Sequence, residues 1–311
     1  MTEQEHLWER RVITKLAQAS LKEQKRARRW SIFFKFLVFA YITFILYMFS
    51  EPDLSTATIT NHSALVELQG LIADGESASA DNIVAALRSA FKDEKTEGVI
   101  LRINSPGGTP VQAGYIYDEI VRLRENYPDI PLYAVVSDMA ASGGYYVASA
   151  ADEIYVSNSS IVGSIGVRIN NFGVVDAMEK LGVESRTISA GEHKTMLDPF
   201  APADEKARLH LQSMVDEIHL QFIEAVRKGR GDRLREIDGL FSGLIWTGEK
   251  ALELGLADNI GSASYVAREV IGAEDIVEFS VEEDALERLI GRFGASITRV
   301  LSKEVLSPSL N

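Results

Sequence analysis

The chain has 311 residues, 46% hydrophobic and 25% charged, with 32 Lys/Arg against 45 Asp/Glu and a formal net charge of −13, the make-up of a globular protein with one large domain and appendages. The absence of cysteine excludes disulfides, thiolate nucleophiles and cysteine metal sites. The five histidines show no metal-binding spacing, so neither a metal nor another cofactor is expected. Charge is divided along the chain: residues 1–50 hold nine Lys/Arg and four Asp/Glu, the remainder 23 and 41, and so acidic a body argues against a nucleic-acid partner.

Residues 1–30 form a basic N-terminal segment, in which 7–29 reads either as a basic amphipathic helix on a membrane surface or as a solvated tail. Residues 31–49, SIFFKFLVFAYITFILYMF, carry one charge, Lys35, near the start. Nineteen residues at about 1.5 Å rise nearly span a hydrocarbon core of ~30 Å, which predicts a transmembrane helix. Lys22, Lys25, Arg26, Arg28 and Arg29 precede it while Glu51 and Asp53 follow, so the N-terminus is expected in the cytoplasm and the rest outside. Ser50-Glu-Pro-Asp offers no small-x-small cleavage site, which favours an uncleaved anchor.

Residues 50–62 read as a linker, 63–275 as the main domain and 276–311 as a C-terminal helix and tail, with Leu286 to Leu301 tracing a helical stripe. Strands are expected at Ala64–Ile72, Gly98–Ile103, Pro131–Ser137 and Ile154–Val156, and helices at Ser79–Phe91, Gln112–Arg124, Ser142–Ala151 and Asp204–Lys228. Alternation of this kind predicts an α/β fold with a mainly parallel sheet covered by helices. The apolar stripe from Ala207 to Val226 is expected to pack on that sheet.

The chemistry concentrates where Pro131–Ser137 runs into DMAASGGYY, residues 138–146. A serine between a buried strand and a helix, flanked by glycines that admit close backbone approach, is either a nucleophile or an N-cap; Ser142 holds that place. The preceding strand ends in Asn104-Ser-Pro-Gly-Gly108, which puts a second glycine turn at the same sheet edge. Backbone amides of Gly108 and Gly143 can therefore converge on one oxygen as an oxyanion hole. For the base, His193 and Lys194 stand side by side; a lysine serves once burial makes its neutral form accessible, and Met196 and Leu197 are compatible with burial. Residue chemistry alone leaves the Ser-His and Ser-Lys pairs open. Arg230-Gly-Asp232 reads as a chance tripeptide after a helix end, and Asp152 and Asp198 as turn or cap residues.

Four motifs in order, Asn104-Ser-Pro-Gly-Gly108, Met139-Ala-Ala-Ser-Gly-Gly-Tyr-Tyr146, Gly163-Ser-Ile-Gly-Val167 and Gly191-Glu-His-Lys194, resemble the signal peptide peptidase A (protease IV) family and its inner-membrane SohB-like relatives, which are serine peptidases of family S49. The likeness runs from about Leu65 to Ser262 and covers one copy of the peptidase unit, the short form. It implies a ClpP/crotonase-like fold, Ser142 as nucleophile, Lys194 as general base, Ser164 as the residue orienting the lysine, and Gly108 and Gly143 as the oxyanion hole. His193 then has no catalytic role. It further implies a homo-oligomeric ring whose subunits help build each other's sites, an inner-membrane location with a periplasmic catalytic domain, and signal-peptide remnants or other short apolar peptides as substrates. Two other classes stand beside this: a catalytically silent anchored scaffold, against which the joint presence of Ser142, Ser164 and Lys194 speaks, and acyl-CoA chemistry, which the acidic body disfavours.

Overall fold

A computed structural model describes residues 3–49 and 61–280, without the side chains of most residues before Leu21 or of 45–49. The chain divides into two units, which are taken separately. Of the first, the described part is one helix, α1 (Glu3–Phe49), running unbroken through the basic segment and the apolar stretch. The boundary expected at residue 30 is therefore one of composition and not of backbone. Among the described residues no helix is long and apolar enough to cross a membrane. The reason is local: every eighteen-residue stretch between Leu21 and Phe44 carries at least three charges, Arg28, Arg29 and Lys35 in the most apolar case. The expected span 31–49 thus ends on side chains outside the described ones, as do the linker up to residue 60 and the C-terminal stripe from 281.

The second unit alternates as the sequence requires: β1 (His62–Ile72), α2 (Ala80–Lys92), β2 (Thr96–Gly108), α3 (Pro110–Asn126), β3 (Leu132–Ala141), α4 (Gly143–Ala148), β4 (Glu153–Val156) and β5 (Ile161–Gly163). Next come α5 (Val175–Leu181), α6 (Glu205–Arg230), β6 (Ile245–Thr247), α7 (Gly248–Leu254), β7 (Asn259–Ile260), α8 (Ala263–Tyr265), which continues as a π turn over Val266–Ile271, and β8 (Ile276–Glu278). The strands order as β6-β5-β3-β2-β1-β8, with β4 on β3 and β7 on β4. All pairings are parallel except β5 with β6. The tail expected from residue 276 begins instead with a strand that extends the sheet beside β1.

Continuous apolar runs in β1–β3 arise from burial on both faces. Alternate residues go to opposite sides: Val66, Leu68, Leu101, Ile103, Ala134 and Val136 join the larger core with α2, α3 and α4, while Leu65, Ile100 and Val135 meet Val266 and Ala267 across the other face. In α2 the i, i+3, i+4 spacing of Ile83, Ala86, Leu87, Ala90 and Phe91 supplies the buried stripe. Pro110 opens α3 at a position whose N–H has no helical partner.

Helix α6 departs from expectation. Its stripe joins the larger core through Phe222, Ala225 and Val226, with the Phe222 ring 4.9 Å from Tyr146 of α4; Ala207 is also buried, while Met214 is exposed and Leu211, Val215 and Ile218 are half-buried. The helix meets α4 at its C-terminal end and does not lie along the sheet. Its last residue, Arg230, is 0% exposed and bidentate to Asp258 at 2.7 and 2.8 Å. It also donates to the Gly255 carbonyl at 2.8 Å. What reads as the start of a surface tripeptide is thus a buried ion pair. Burial by itself would raise the Asp258 carboxyl, but the Arg230 hydrogen bonds and charge, the Ile154 amide and Arg233 outweigh it and hold it below its ordinary value.

Candidate functional site

Strands β3 and β5 run in parallel with Ala141 opposite Gly163, so the next residue of each, Ser142 and Ser164, emerge beside one another at the carboxyl end of the sheet. Each is tied by its own amide: Ser142 N–H donates to Gly163 at 2.8 Å and Ser164 N–H to Leu244 at 2.7 Å. Both have φ of 52°, and among the described residues they are the sole non-glycine residues at positive φ. Such a conformation costs about 1–3 kcal/mol and persists where surrounding structure enforces it.

The enforcing structure is α4. The Ser142 carbonyl accepts from the Tyr145 and Tyr146 amides, both at 2.9 Å. Tyr145 is fully buried and donates its hydroxyl to Leu256 at 2.8 Å; burial pushes its phenol far up, so it stays neutral. Tyr146 stacks edge-on against Tyr117 at 5.3 Å. With six residues in place of the ten expected, α4 is too short for its dipole to matter much, and the local chemistry rests on individual amides.

Those amides come from two strands. The Asn104–Gly108 segment, expected as a turn, continues β2, with Gly108 paired to Ile72. Gly107 has φ of +103°, and a Cβ placed there would stand 2.7 Å from both Gly143 N and Ser142 Cβ. A Cβ on Gly143 would stand 3.1 Å from Gly108 N. The backbones of Gly107–Gly108 and Ser142–Gly143 are thus in contact without side chains between them, as two amides serving one oxygen require. Ser142 is half-buried, and neither its hydroxyl nor that of Ser164 makes a hydrogen bond among the described residues.

Lys194 is elsewhere in the pattern. It lies in turns over 190–197, where its amide donates to Gly191 at 3.1 Å, and both it and His193 are exposed. No hydrogen bond or ion pair joins its amine to a described residue. The burial expected from Met196 and Leu197 is absent around Lys194, because those two side chains turn to a surface cavity of about 1170 Å³ shared with Phe172, Val174, Leu211 and Val215. The structure therefore brings together Ser142, Ser164, Gly108 and Gly143, and no hydrogen bond among the described residues joins the Lys194 amine to them.

The motifs assign no role to three residues near the serines. His219 on α6 reaches the Ile165 carbonyl with Nε2 at 3.0 Å and so fixes the Ile165–Gly166 peptide; an N–H on Nε2 must donate there. Trp246 of β6 packs against Gly163, and its Nε1 is the buried side-chain polar atom without a partner among the described residues. Ser105, buried on β2, donates to the Gly70 carbonyl of β1 and accepts from the Gly107 N–H of the glycine segment. Asp152 is half-buried and ion-paired to Arg124, while Asp198 accepts from the Phe200 amide as a turn residue does. Among the described residues no group of His, Asp or Glu is placed to hold a metal.

A mainly parallel α/β sheet that seats a strained serine at a strand end, beside paired backbone amides, fits a ClpP-like fold. The chain belongs to peptidase family S49, whose signature matches residues 124–275. A Synechocystis protein named as a candidate protease is 32% identical over 225 residues, 71% of this chain and 79% of that protein. An Enterococcus faecium protein named as a candidate signal peptide peptidase SppA is 33% identical over 220 residues, 68% and 63% of the two chains. A Brucella abortus protein named Na(+)/H(+) antiporter NhaA is 40% identical over 213 residues, 67% of this chain but 29% of its own length. The chain thus spans under a third of that relative.

Proposed function

We propose that the chain is a membrane-anchored serine endopeptidase acting through a Ser142–Lys194 dyad on short apolar peptides such as signal-peptide remnants. In this reading neutral Lys194 takes the Ser142 proton as Oγ attacks a peptide carbonyl. The carbonyl oxygen gains its negative charge between the Gly108 and Gly143 amides. Collapse of that intermediate expels the amine with the proton returned from Lys194, leaving an acyl-enzyme that water cleaves by the reverse sequence. Ser164 orients the lysine. The observation that carries the reading is the pair of positive-φ serines side by side at the ends of β3 and β5, with the contacting glycine backbones of β2 and α4 next to the first. The names of two relatives, a signal peptide peptidase and a protease, support peptide cleavage as the reaction.

Anchoring by residues 31–49, with the N-terminus cytoplasmic and the domain periplasmic, belongs to the proposal and is supported by the unbroken helix and the basic residues before the apolar stretch. So does a homo-oligomeric ring, which would bring a neighbouring subunit to the exposed segment that holds Lys194. The exposed, unbonded Lys194 is also the one observation that favours a silent scaffold.

Peptide cleavage in detergent decides between them. Ser142→Ala and Lys194→Ala are each expected to lose at least about a thousandfold in kcat, while His193→Ala retains activity. A wild type that is inert toward peptides and unlabelled by a serine-directed phosphonate would leave the scaffold.

A further inference from the structure

Ser105 is 0% exposed, so it cannot touch a substrate. Its hydroxyl uses both of its capacities on backbone: it donates to the Gly70 carbonyl at 2.6 Å and accepts from the Gly107 N–H at 3.1 Å. Both partners are irregular. Gly70 has φ of +91° and lies where the β1–β2 register shifts between Gln69 and Leu71. Ser105 itself marks the end of the register shift between β2 and β3. Bulges bend strands and re-aim the residues beyond them, and here breaks at one level of three adjacent strands are joined by one hydroxyl.

Directly beyond Ser105 on β2 lies the glycine segment beside the nucleophile. The Gly107 N–H that Ser105 holds belongs to the residue pressed against Ser142 and Gly143, and the next amide in the chain is that of Gly108. On its other side Ser105 backs onto α4: a Cβ on Gly144 would lie 3.0 Å from the Ser105 carbonyl and 3.3 Å from its Cβ. The residue is therefore in contact with both of the backbone stretches whose amides the proposed chemistry uses, and with the bulge of β1 behind them.

We infer that Ser105 is a positioning residue: by fixing the Gly107 peptide between the bulge of β1 and the first turn of α4, its hydroxyl sets the aim of the Gly108 amide at the oxygen that becomes charged. The inference rests on the proposed roles of Ser142 and Gly108. An amide held at the oxyanion position stabilises the transition state and not the bound substrate, so its misalignment is read in kcat and not in KM.

The experiment uses full-length protein in detergent. Kinetics on an apolar peptide are compared for wild type, Ser105→Ala, Ser105→Cys and Ser105→Thr, together with the affinity of a peptide boronate that forms a tetrahedral adduct on the nucleophile. Ser105→Ala is expected to lower kcat by about 10- to 100-fold with KM within roughly twofold, and boronate affinity to fall in the same proportion. Ser105→Thr, which keeps the hydroxyl, is expected to stay within about threefold of wild type, and Ser105→Cys, a weak hydrogen-bonding group of similar size, to track alanine. Should the alanine variant not fold, the Thr–Cys pair carries the same comparison. An active wild type whose Ser105→Ala variant melts lower but keeps kcat, or loses kcat without losing boronate affinity, overturns the positioning role and leaves the peptidase reading intact. An inert, unlabelled wild type overturns both.

Discussion

The strands that seat Ser142 and the segment that bears Lys194 are built in opposite ways. From residue 61 to 165 most apolar side chains are buried and their backbone is paired in a sheet; from 166 to 204 no side chain is fully buried, α5 buries nothing, and Phe172, Leu181 and Ile188 stand 74%, 78% and 99% exposed. The contrast is thermodynamic as well as geometric. Strained serines need a core to enforce them, and β3, β5 and α4 supply it within one chain. Residues 166–204 gain little from burial in a single chain, so their arrangement depends on whatever else packs on them. If Ser142 and Lys194 act together as proposed, one is held by the core and the other outside it, so the two respond to different perturbations.

The largest break is expected inside the core. Replacing Arg230 by Met leaves Asp258 as an uncompensated charge with only Arg233 near, 3.3 Å away, and should cost about 3–5 kcal/mol in denaturant unfolding. Loss of less than about 1 kcal/mol would mean that Arg233 replaces it.

A smaller effect is expected where the core meets solvent. Hydrogen bonds from Arg122, and against the opposing pull of burial from Arg88, hold the Glu119 carboxyl down at about 2. A depressed carboxylate contributes stability that is complete above its ordinary value near 4.5 and is lost as pH falls toward 2. With both arginines half-exposed, the contribution is about 1–2 kcal/mol. Glu119→Gln should flatten the stability profile between those two pH values; an unchanged slope would place the acid sensitivity elsewhere.

The smallest stability effect belongs to the outer segment. Ile188→Ser should change unfolding free energy by no more than about 0.5 kcal/mol. If the proposed ring covers this segment, the same variant weakens assembly in sedimentation; unchanged assembly would place the subunit contact away from Ile188.

The order of helices and strands could be read from the chain because periodicity reports burial directly: the runs at 64–72, 98–103 and 131–137 are mainly apolar, interrupted at Glu67, Gln69 and Arg102, and α2 shows its stripe. That Ser142, Gly108 and Gly143 share one sheet edge is legible because glycines beside a serine mark a tight strand-to-helix junction, whereas Ser164 is reached only through the family resemblance. The roles of Ser105, His219 and Arg230 are not legible. Each acts through a partner 25 or more residues away, Gly70, Ile165, and Gly255 with Asp258, and no local pattern encodes such a pairing.

The amino-acid sequence by itself determined the alternation of strand and helix, the small-residue junctions and the charge division between residues 1–50 and the body, since each depends on neighbours within a few residues. Tertiary structure alone decided that β3 takes β4 as partner along its first half and β5 at its end, so that Ser142 and Ser164 meet. It also decided that the stripe of α6 is fully buried only at Ala207, Phe222, Ala225 and Val226, and that Lys194 is exposed. The physical reason is that an apolar or ionisable side chain specifies burial in general, while which surface covers it depends on the packing of the whole chain.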